Sequence, residues 1–264
     1  MGDDLLSKEL LGSLELNRIY QMDCLEGIKL IPNNSIDLII VDPPYFEIKG
    51  EFDFVFKNED HYLDFIERCL IQFSRVLKST GTLYMYCSQQ MGAYIDLMLR
   101  KYFEIKNRII WYRKGGLSPI KKFKLSHEPL YYCVKDINNH ILNPEDIRIK
   151  SKYADKDKRL NPKGKVPDDV WEIPNLVGKK KEKVDHPTQK PLAICERMIK
   201  ASSNEGSIIL IPFVGSGSEC VMAKHLKRRF IGFEINPNYI EIANMRIEST
   251  YNELDDEKLI NKIQ

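Results

Sequence analysis

The sequence predicts a doubly wound α/β domain built on a mostly parallel sheet, and three observations predict it. Apolar, β-branched runs alternate with helical periodicities along most of the 264 residues. The run Leu38-Ile39-Ile40-Val41 stops abruptly at Asp42-Pro43-Pro44-Tyr45, as a buried parallel strand leaving its sheet would. A late turn, Gly215-Ser216-Gly217, lies between another apolar run and a helix. This length fits one domain with an insertion better than two independent domains, and suffices for a substantial core.

In chain order, Leu5, Leu6, Leu10, Leu11, Leu14 and Leu16 are spaced as a short amphipathic helix over 1–16. Arg18 to Cys24 reads as a strand ending near Asp23, Leu25 to Ile31 as a helix, and Pro32 to Ser35 as a turn. Pro43 and Pro44 lack N–H groups and have fixed φ, so the strand from Leu38 must end there. Asp42 and Tyr45 are then held on a stiff loop at the carboxyl end of a strand, where open α/β sheets place their ligands. Phe46 to Asn58, charged and aromatic, reads as a loop over that cleft. Helices are expected at His61 to Leu77 and Met91 to Tyr102, and strands at Thr82 to Cys87, Ile105 to Tyr112 and Pro129 to Val134.

From Asp136 to Val184 the periodicity fades and basic residues accumulate. They are Lys150, Lys152, Lys156, Lys158, Arg159, Lys163, Lys165, Lys179-Lys180-Lys181 and Lys183, interleaved with Tyr153, Trp171 and Ile173. Such an insertion suits a phosphate backbone, with a few side chains reading base edges. Asp155, Asp157, Asp168 and Asp169 dilute the basic character, and a solvated surface loop has the same composition. His186-Pro187-Thr188-Gln189-Lys190-Pro191 then leads into a helix, Leu192 to Ser202. N–H groups at that helix start can meet a ligand carboxylate, or the segment is an ordinary capped helix start. Ser207 to Ile211 reads as a strand, Ser218 to Leu226 as a helix, Arg229 to Phe233 as a strand, and Asn238 to Thr250 as the last core helix, opened by Asn236-Pro237. Glu234 falls about twenty residues past the glycines, the spacing at which an acid can bind ribose hydroxyls. Strand, glycine turn, helix, strand and terminal acid together point to an adenosine-type cofactor.

The residues at Asp42 suit one chemistry. An aromatic amino nitrogen is a poor nucleophile, because its lone pair is delocalised. A carboxylate and a backbone carbonyl that accept its protons draw it toward a tetrahedral shape, and a tyrosine ring can stack on the flat base. Two prolines restrict the loop, which matters where positioning supplies much of the rate. The same four residues also read as a tight turn with Asp42 capping it.

Asp42-Pro43-Pro44-Tyr45 resembles the catalytic motif of the amino-group DNA methyltransferases, and Phe213-Val214-Gly215-Ser216-Gly217 resembles their S-adenosylmethionine loop. Catalytic motif first and cofactor loop late is similar to the β class, over about Arg18 to Thr250. The resemblance implies a Rossmann-like fold with a catalytic half at 18–135, a target-recognition insertion at 136–184 and a cofactor half at 185–250. It implies catalytic roles for Asp42, Pro43, Pro44 and Tyr45. It implies cofactor contacts from Asp23, Asp42, His186, Thr188, Gln189, Lys190, Phe213, Gly215, Ser216, Gly217, Ser218, Glu234 and Asn236. For Asp23, a helix N-cap is an equal reading. Ile211 departs from the family, which commonly has an acid there, whereas Ser218 keeps the hydroxyl of the usual threonine.

The expected activity is methyl transfer to adenine N6 in duplex DNA by base flipping, as part of a restriction-modification system. Cytosine N4 is the alternative in the same class, and a non-catalytic nucleotide-binding module the alternative outside it. A nicotinamide dehydrogenase fits less well, since Cys220 stands where Gly-x-Gly-x-x-Gly needs its third glycine. The implied partner is double-stranded DNA, and a homodimer and a cognate restriction endonuclease are compatible with it. The net charge of +2 confines any basic surface to a local patch. No apolar run nears a membrane span, and Asp3 and Asp4 stand where a signal peptide would be basic. Cys24, Cys69, Cys87, Cys133, Cys195 and Cys220 form no Cys-x-x-Cys pair, which reads as reduced, mostly buried thiols in a cytoplasmic protein without zinc or other metal.

Overall fold

The computed structural model describes residues 8–46, 55–113, 120–121, 123–151, 159, 161–176 and 182–254. Its strands are β1 (Leu10–Leu11), β2 (Leu14–Glu15), β3 (Arg18–Gln21), β4 (Ile36–Val41), β5 (Leu77–Tyr86), β6 (Glu104–Tyr112), β7 (His127–Val134), β8 (Val170–Glu172), β9 (Ile208–Ile211) and β10 (Arg229–Glu234). Its helices are α1 (Cys24–Lys29), α2 (Glu59–Val76), α3 (Gly92–Leu99), α4 (Leu192–Ser202), α5 (Ser218–His225) and α6 (Pro237–Leu254). Eight strands form one sheet in the order β3-β10-β9-β4-β5-β7-β6-β8, in which β7 alone runs against its neighbours.

β4 lies near the middle and explains the two layers. Its apolar residues are all at most 1% exposed, because alternate side chains enter opposite cores. Ile39 and Val41 pack with Ile66, Leu70 and Phe73 of α2, whereas Leu38 and Ile40 pack with Ile194 and Met198 of α4 and Val221 of α5. Asp37 ties the strand to both neighbours, pairing with Lys78 Nζ at 2.7 Å and accepting the Ile208 N–H at 2.8 Å. β4 and β9 are adjacent and parallel, while the chain leaves them toward opposite ends of the sheet. Their carboxyl ends therefore form a topological switch point, the usual ligand crevice of such sheets.

Three expectations are corrected. The helix expected over 1–16 is, in its described part, a hairpin of β1 and β2: Gly12 turns with φ +61°, and Leu14 and Leu16 are buried. A positive φ ends any helix there, and the leucines serve a turn instead. β5 starts at Leu77, where α2 runs straight into the strand, rather than at Thr82. Inside the insertion, β8 pairs with β6, and Trp171, Ile173 and Leu176 are each 6% exposed. Trp171 and Ile173 therefore seal the sheet edge instead of lying against a phosphate backbone, and Trp111 donates its indole N–H to the Ile173 carbonyl at 2.8 Å.

The start of the insertion is anchored at the amino ends of the strands, away from the crevice. Asn143 donates from its side chain to the Lys200 and Ser203 carbonyls at the end of α4. Among the described basic residues of the insertion, Arg148 pairs with Glu145 and Lys165 with Asp168. The expectations at 1–7, 47–54, 152–158, 177–181 and 255–264 lie outside the described residues. All six cysteines are buried as free thiols. No helix among the described residues is long and apolar enough to cross a membrane, and none of their His, Cys, Asp and Glu clusters could hold a metal ion.

Candidate active site

A cavity of about 760 Å³ opens at the carboxyl ends of β3, β10, β9 and β4. It brings together every residue the sequence singled out except Gly217 and Ser218: Asp42, Pro43, Pro44 and Tyr45 line it together with Asp23, His186 through Lys190, Phe213, Gly215, Ser216, Glu234 and Asn236. Strand order separates two regions, with Asp23 and Glu234 above β3 and β10 and Asp42 above β4.

The Asp42 region is a closed polar cluster. Asp42 Oδ1 accepts the Tyr45 hydroxyl at 2.9 Å, and Oδ2 lies 2.7 Å from Lys190 Nζ. Tyr45 is buried, and burial and then the Asp42 charge push its phenol well above the ordinary value, so it stays a hydrogen-bond donor. Lys190 is 5% exposed. Burial alone would lower its affinity for a proton, but Asp42 and Glu128 outweigh that, and the ammonium is held above its ordinary value. Neither Glu128 nor the buried Glu219, whose carboxyl is raised by burial, was singled out from sequence. Their only local signals were a charge at the start of the strand, before Pro129, and a charge in the first turn of α5.

The Glu234 region is organised by backbone donors. Glu234 accepts the Gly215 N–H at 2.8 Å with one oxygen and the Asn236 N–H at 2.9 Å with the other. A carboxylate offers roughly four acceptor positions, so about two remain for ribose hydroxyls. Asp23 meets both of its readings: its carboxylate caps α1 by accepting the Leu25 N–H at 2.8 Å, and the residue lines the cavity. Gly215, at φ +49°, is pressed so close that a Cβ would lie 2.9 Å from His186 Nε2. Burial lowers the His186 pKa to about 4, so the ring is neutral, and it packs edge-on against Tyr239.

Gly217 and Ser218 sit behind the cavity. Ser218 donates its hydroxyl to the Lys190 carbonyl at 2.8 Å, and Arg246 donates to both Ser218 Oγ and the Ser216 carbonyl. Their contribution is to lock the glycine turn to the Lys190 segment. The expectation at the start of α4 is corrected in part. Its first N–H, on Leu192, already meets a carboxylate, that of Glu182 at 3.2 Å. Gln189 is buried, holding the Val184 N–H and the Glu182 carbonyl. Ile211, where the family commonly has an acid, is a core residue 1% exposed.

The cavity volume lies within the range of small-molecule sites, roughly 300–1,000 Å³. Tight glycine, ribose-ready acid and apolar walls from Phe213 and Phe233 fit an adenosine-type cofactor. Fold and site thus define a cofactor-dependent group-transfer enzyme with an acid-and-ring corner beside the cofactor. The model of the N6_N4_Mtase family, "DNA methylase", matches residues 36–245. The chain is 38% identical over 246 residues to the DNA adenine methyltransferase YhdJ of Escherichia coli K12, covering 89% of this chain and 83% of that protein. It is also 38% identical over 244 residues to the type II methyltransferase M.HpaI of Haemophilus parainfluenzae, covering 90% and 76%. The crystal structure of an M1.HpyAVI–SAM complex superposes with a TM-score of 0.63 at 27% identity, over 87% of this chain and 98% of that one. The cytosine-N4-specific PvuII DNA methyltransferase shares the fold, with a TM-score of 0.70 at 17% identity, over 89% and 90%.

The chain belongs to the N6_N4_Mtase family of DNA methylases. It is an enzyme with S-adenosylmethionine as its methyl donor.

Proposed function

We propose that this chain methylates adenine N6 at a specific site in duplex DNA, within a restriction-modification system and in the cytoplasm. The observation that carries the reading is the single cavity shared by Asp42, Tyr45, Gly215 and Glu234. The adenine specificity in the name of YhdJ, the type II designation of M.HpaI and the Asp heading Asp42-Pro43-Pro44-Tyr45 support it. The fold by itself does not choose the base, since a cytosine-N4 enzyme superposes at least as well.

Bound S-adenosylmethionine supplies a methyl carbon made electrophilic by its sulfonium. Glu234 and Asp23 receive the nucleoside, and the Gly215 turn permits close approach. A target base cannot enter this cavity from within a duplex and must be flipped out. The Asp42 carboxylate and the Pro43 carbonyl accept the two amino protons, which frees the nitrogen lone pair, and the Tyr45 ring stacks on the base. As the nitrogen–methyl bond formed, the sulfur–methyl bond would break and S-adenosylhomocysteine would leave, while the nitrogen would shed one proton, which Asp42 is placed to accept. Residues 18–135 act as the catalytic half, 136–184 as the target-recognition region and 185–250 as the cofactor half. DNA contact draws support from the β6–β7 connection, which leaves the sheet at the crevice edge with exposed Ile120, Lys121 and Phe123. A homodimer and a cognate endonuclease complete the proposal.

The test is incubation with labelled S-adenosylmethionine and mixed genomic DNA, followed by nucleoside analysis and modification mapping. N6-methyladenine at one sequence motif is the expected product. N4-methylcytosine would establish the alternative base, and cofactor binding without incorporation into any DNA would establish a non-catalytic module. Asp42→Ala should abolish transfer while largely keeping cofactor binding; wild-type turnover by that variant would remove Asp42 from the mechanism.

A further inference from the structure

Lys190 is in an unusual place for a residue expected only to touch the cofactor. Its ammonium lies 2.7 Å from Asp42 Oδ2 and 3.7 Å from Glu128 Oε2, and 4.7 Å from the centroid of the Tyr86 ring. Its backbone is pinned by Ser218. Glu128 is pinned in turn, with Oε1 2.8 Å from Arg113 Nη1. The charges alternate along Arg113, Glu128, Lys190 and Asp42, from the stem of the β6–β7 connection to the catalytic loop. Desolvated pairs of this kind are tolerated where each charge has a partner, and removing one partner leaves the other exposed to an unfavourable field.

We propose that Lys190 is a positioning residue for methyl transfer: it holds the Asp42 carboxylate in one orientation, and Glu128 holds Lys190 against it. This rests on the reading of Asp42 as the acceptor of the target amino group. With Oδ1 on the Tyr45 hydroxyl and Oδ2 on Lys190, the carboxylate is fixed in one setting, and its remaining acceptor positions are fixed with it. The groups around Asp42 are Tyr45 on its own loop, His186 and Lys190 on the segment before α4, and Glu219 on α5, with Glu128 of β7 against Lys190. Two of the facing groups are carboxylates and His186 is neutral, so Lys190 is the near cation. Without it, the Asp42 carboxylate keeps the Tyr45 hydroxyl but loses the ammonium that fixes Oδ2.

The test compares single-turnover methyl transfer in wild type, Lys190→Met, Lys190→Arg and Glu128→Gln, with S-adenosylmethionine affinity measured separately. Lys190→Met should lose at least about tenfold in rate while S-adenosylmethionine affinity changes little, with Glu128→Gln moving the same way by less. Lys190→Arg should restore most of the rate, because it restores the charged anchor. A Lys190→Met rate within about twofold of wild type, or a loss carried by S-adenosylmethionine affinity alone, would overturn the proposal. Should Lys190→Met not fold, an unchanged rate in Glu128→Gln overturns it instead.

A double-mutant cycle of Asp42→Asn and Lys190→Met in urea unfolding gives a readout without catalysis. The single effects should exceed additivity by about tenfold or more in the unfolding constant; strict additivity would refute the pairing. A wild-type chain that methylates no DNA sinks the functional reading alone, and the cycle still decides the pairing.

Discussion

Gly217 and Gly206 have the same backbone torsion, φ +78°, and different surroundings, which makes them a matched pair. At Gly206 a Cβ would meet nothing within 4 Å. At Gly217 it would lie 2.7 Å from the Ala243 Cβ and 3.0 Å from the Ala243 Cα, in the backbone of α6. Gly206→Ala should lose only the left-handed torsion penalty, about 1–2 kcal/mol. Gly217→Ala adds overpacking against a helix that cannot rotate away, typically about 1–3 kcal/mol. The difference between the two variants, about 1–3 kcal/mol, isolates the contact of α5 with α6. Urea midpoints at unchanged slope measure it, or melting temperatures, at roughly 2–4 °C per kcal/mol for a chain of this size. Gly217→Ala should also weaken S-adenosylmethionine binding, since the turn that carries Gly215 must shift, whereas Gly206→Ala should not. Equal midpoints and equal affinities in the two variants would refute the claim that Ala243 is what demands glycine.

Other outcomes follow from the same geometry. Burial lowers the His186 pKa to about 4, so the unfolded chain binds more protons than the native one between pH 4 and 6.5. Stability should accordingly fall as pH drops through that window, by up to about 3 kcal/mol, and His186→Gln should flatten this dependence in urea midpoints taken at pH 7 and pH 5. Glu234→Ala strands the Gly215 and Asn236 N–H groups and removes the ribose acceptor; calorimetry should show cofactor affinity reduced about 10–100-fold, from the loss of charged hydrogen bonds worth about 1.5–3 kcal/mol. Ser218→Ala leaves Arg246 and the Lys190 carbonyl each short of a buried partner, and should destabilise by about 1–3 kcal/mol in urea.

The strands and helices that touch the site were legible because their signals are local. β4 shows an unbroken apolar run stopped by two prolines, and α4, expected at Leu192 to Ser202, forms over those residues. The glycine turn, its following helix and Glu234 form one continuous stretch, so spacing along the chain translated directly into a binding loop. What failed was weakly patterned. β8 has three residues and no periodicity to read, and becomes a strand only because β6 offers it an edge and Trp171 a place to bury. The leucines near the N-terminus match a helical spacing, and only the positive φ of Gly12 turns the chain back.

By itself, the sequence determined which chemistry-bearing residues exist and at which strand ends they stand, since the stop signals and turn residues act within a few positions. Only the tertiary structure decided that β4 and β9, some 170 residues apart, would lie side by side, and that Lys190 would arrive between Asp42 and Glu128. Sheet order and buried charge pairing are long-range properties. They arise from which apolar faces cover one another and which charges can be desolvated together, and no window of neighbouring residues contains that information.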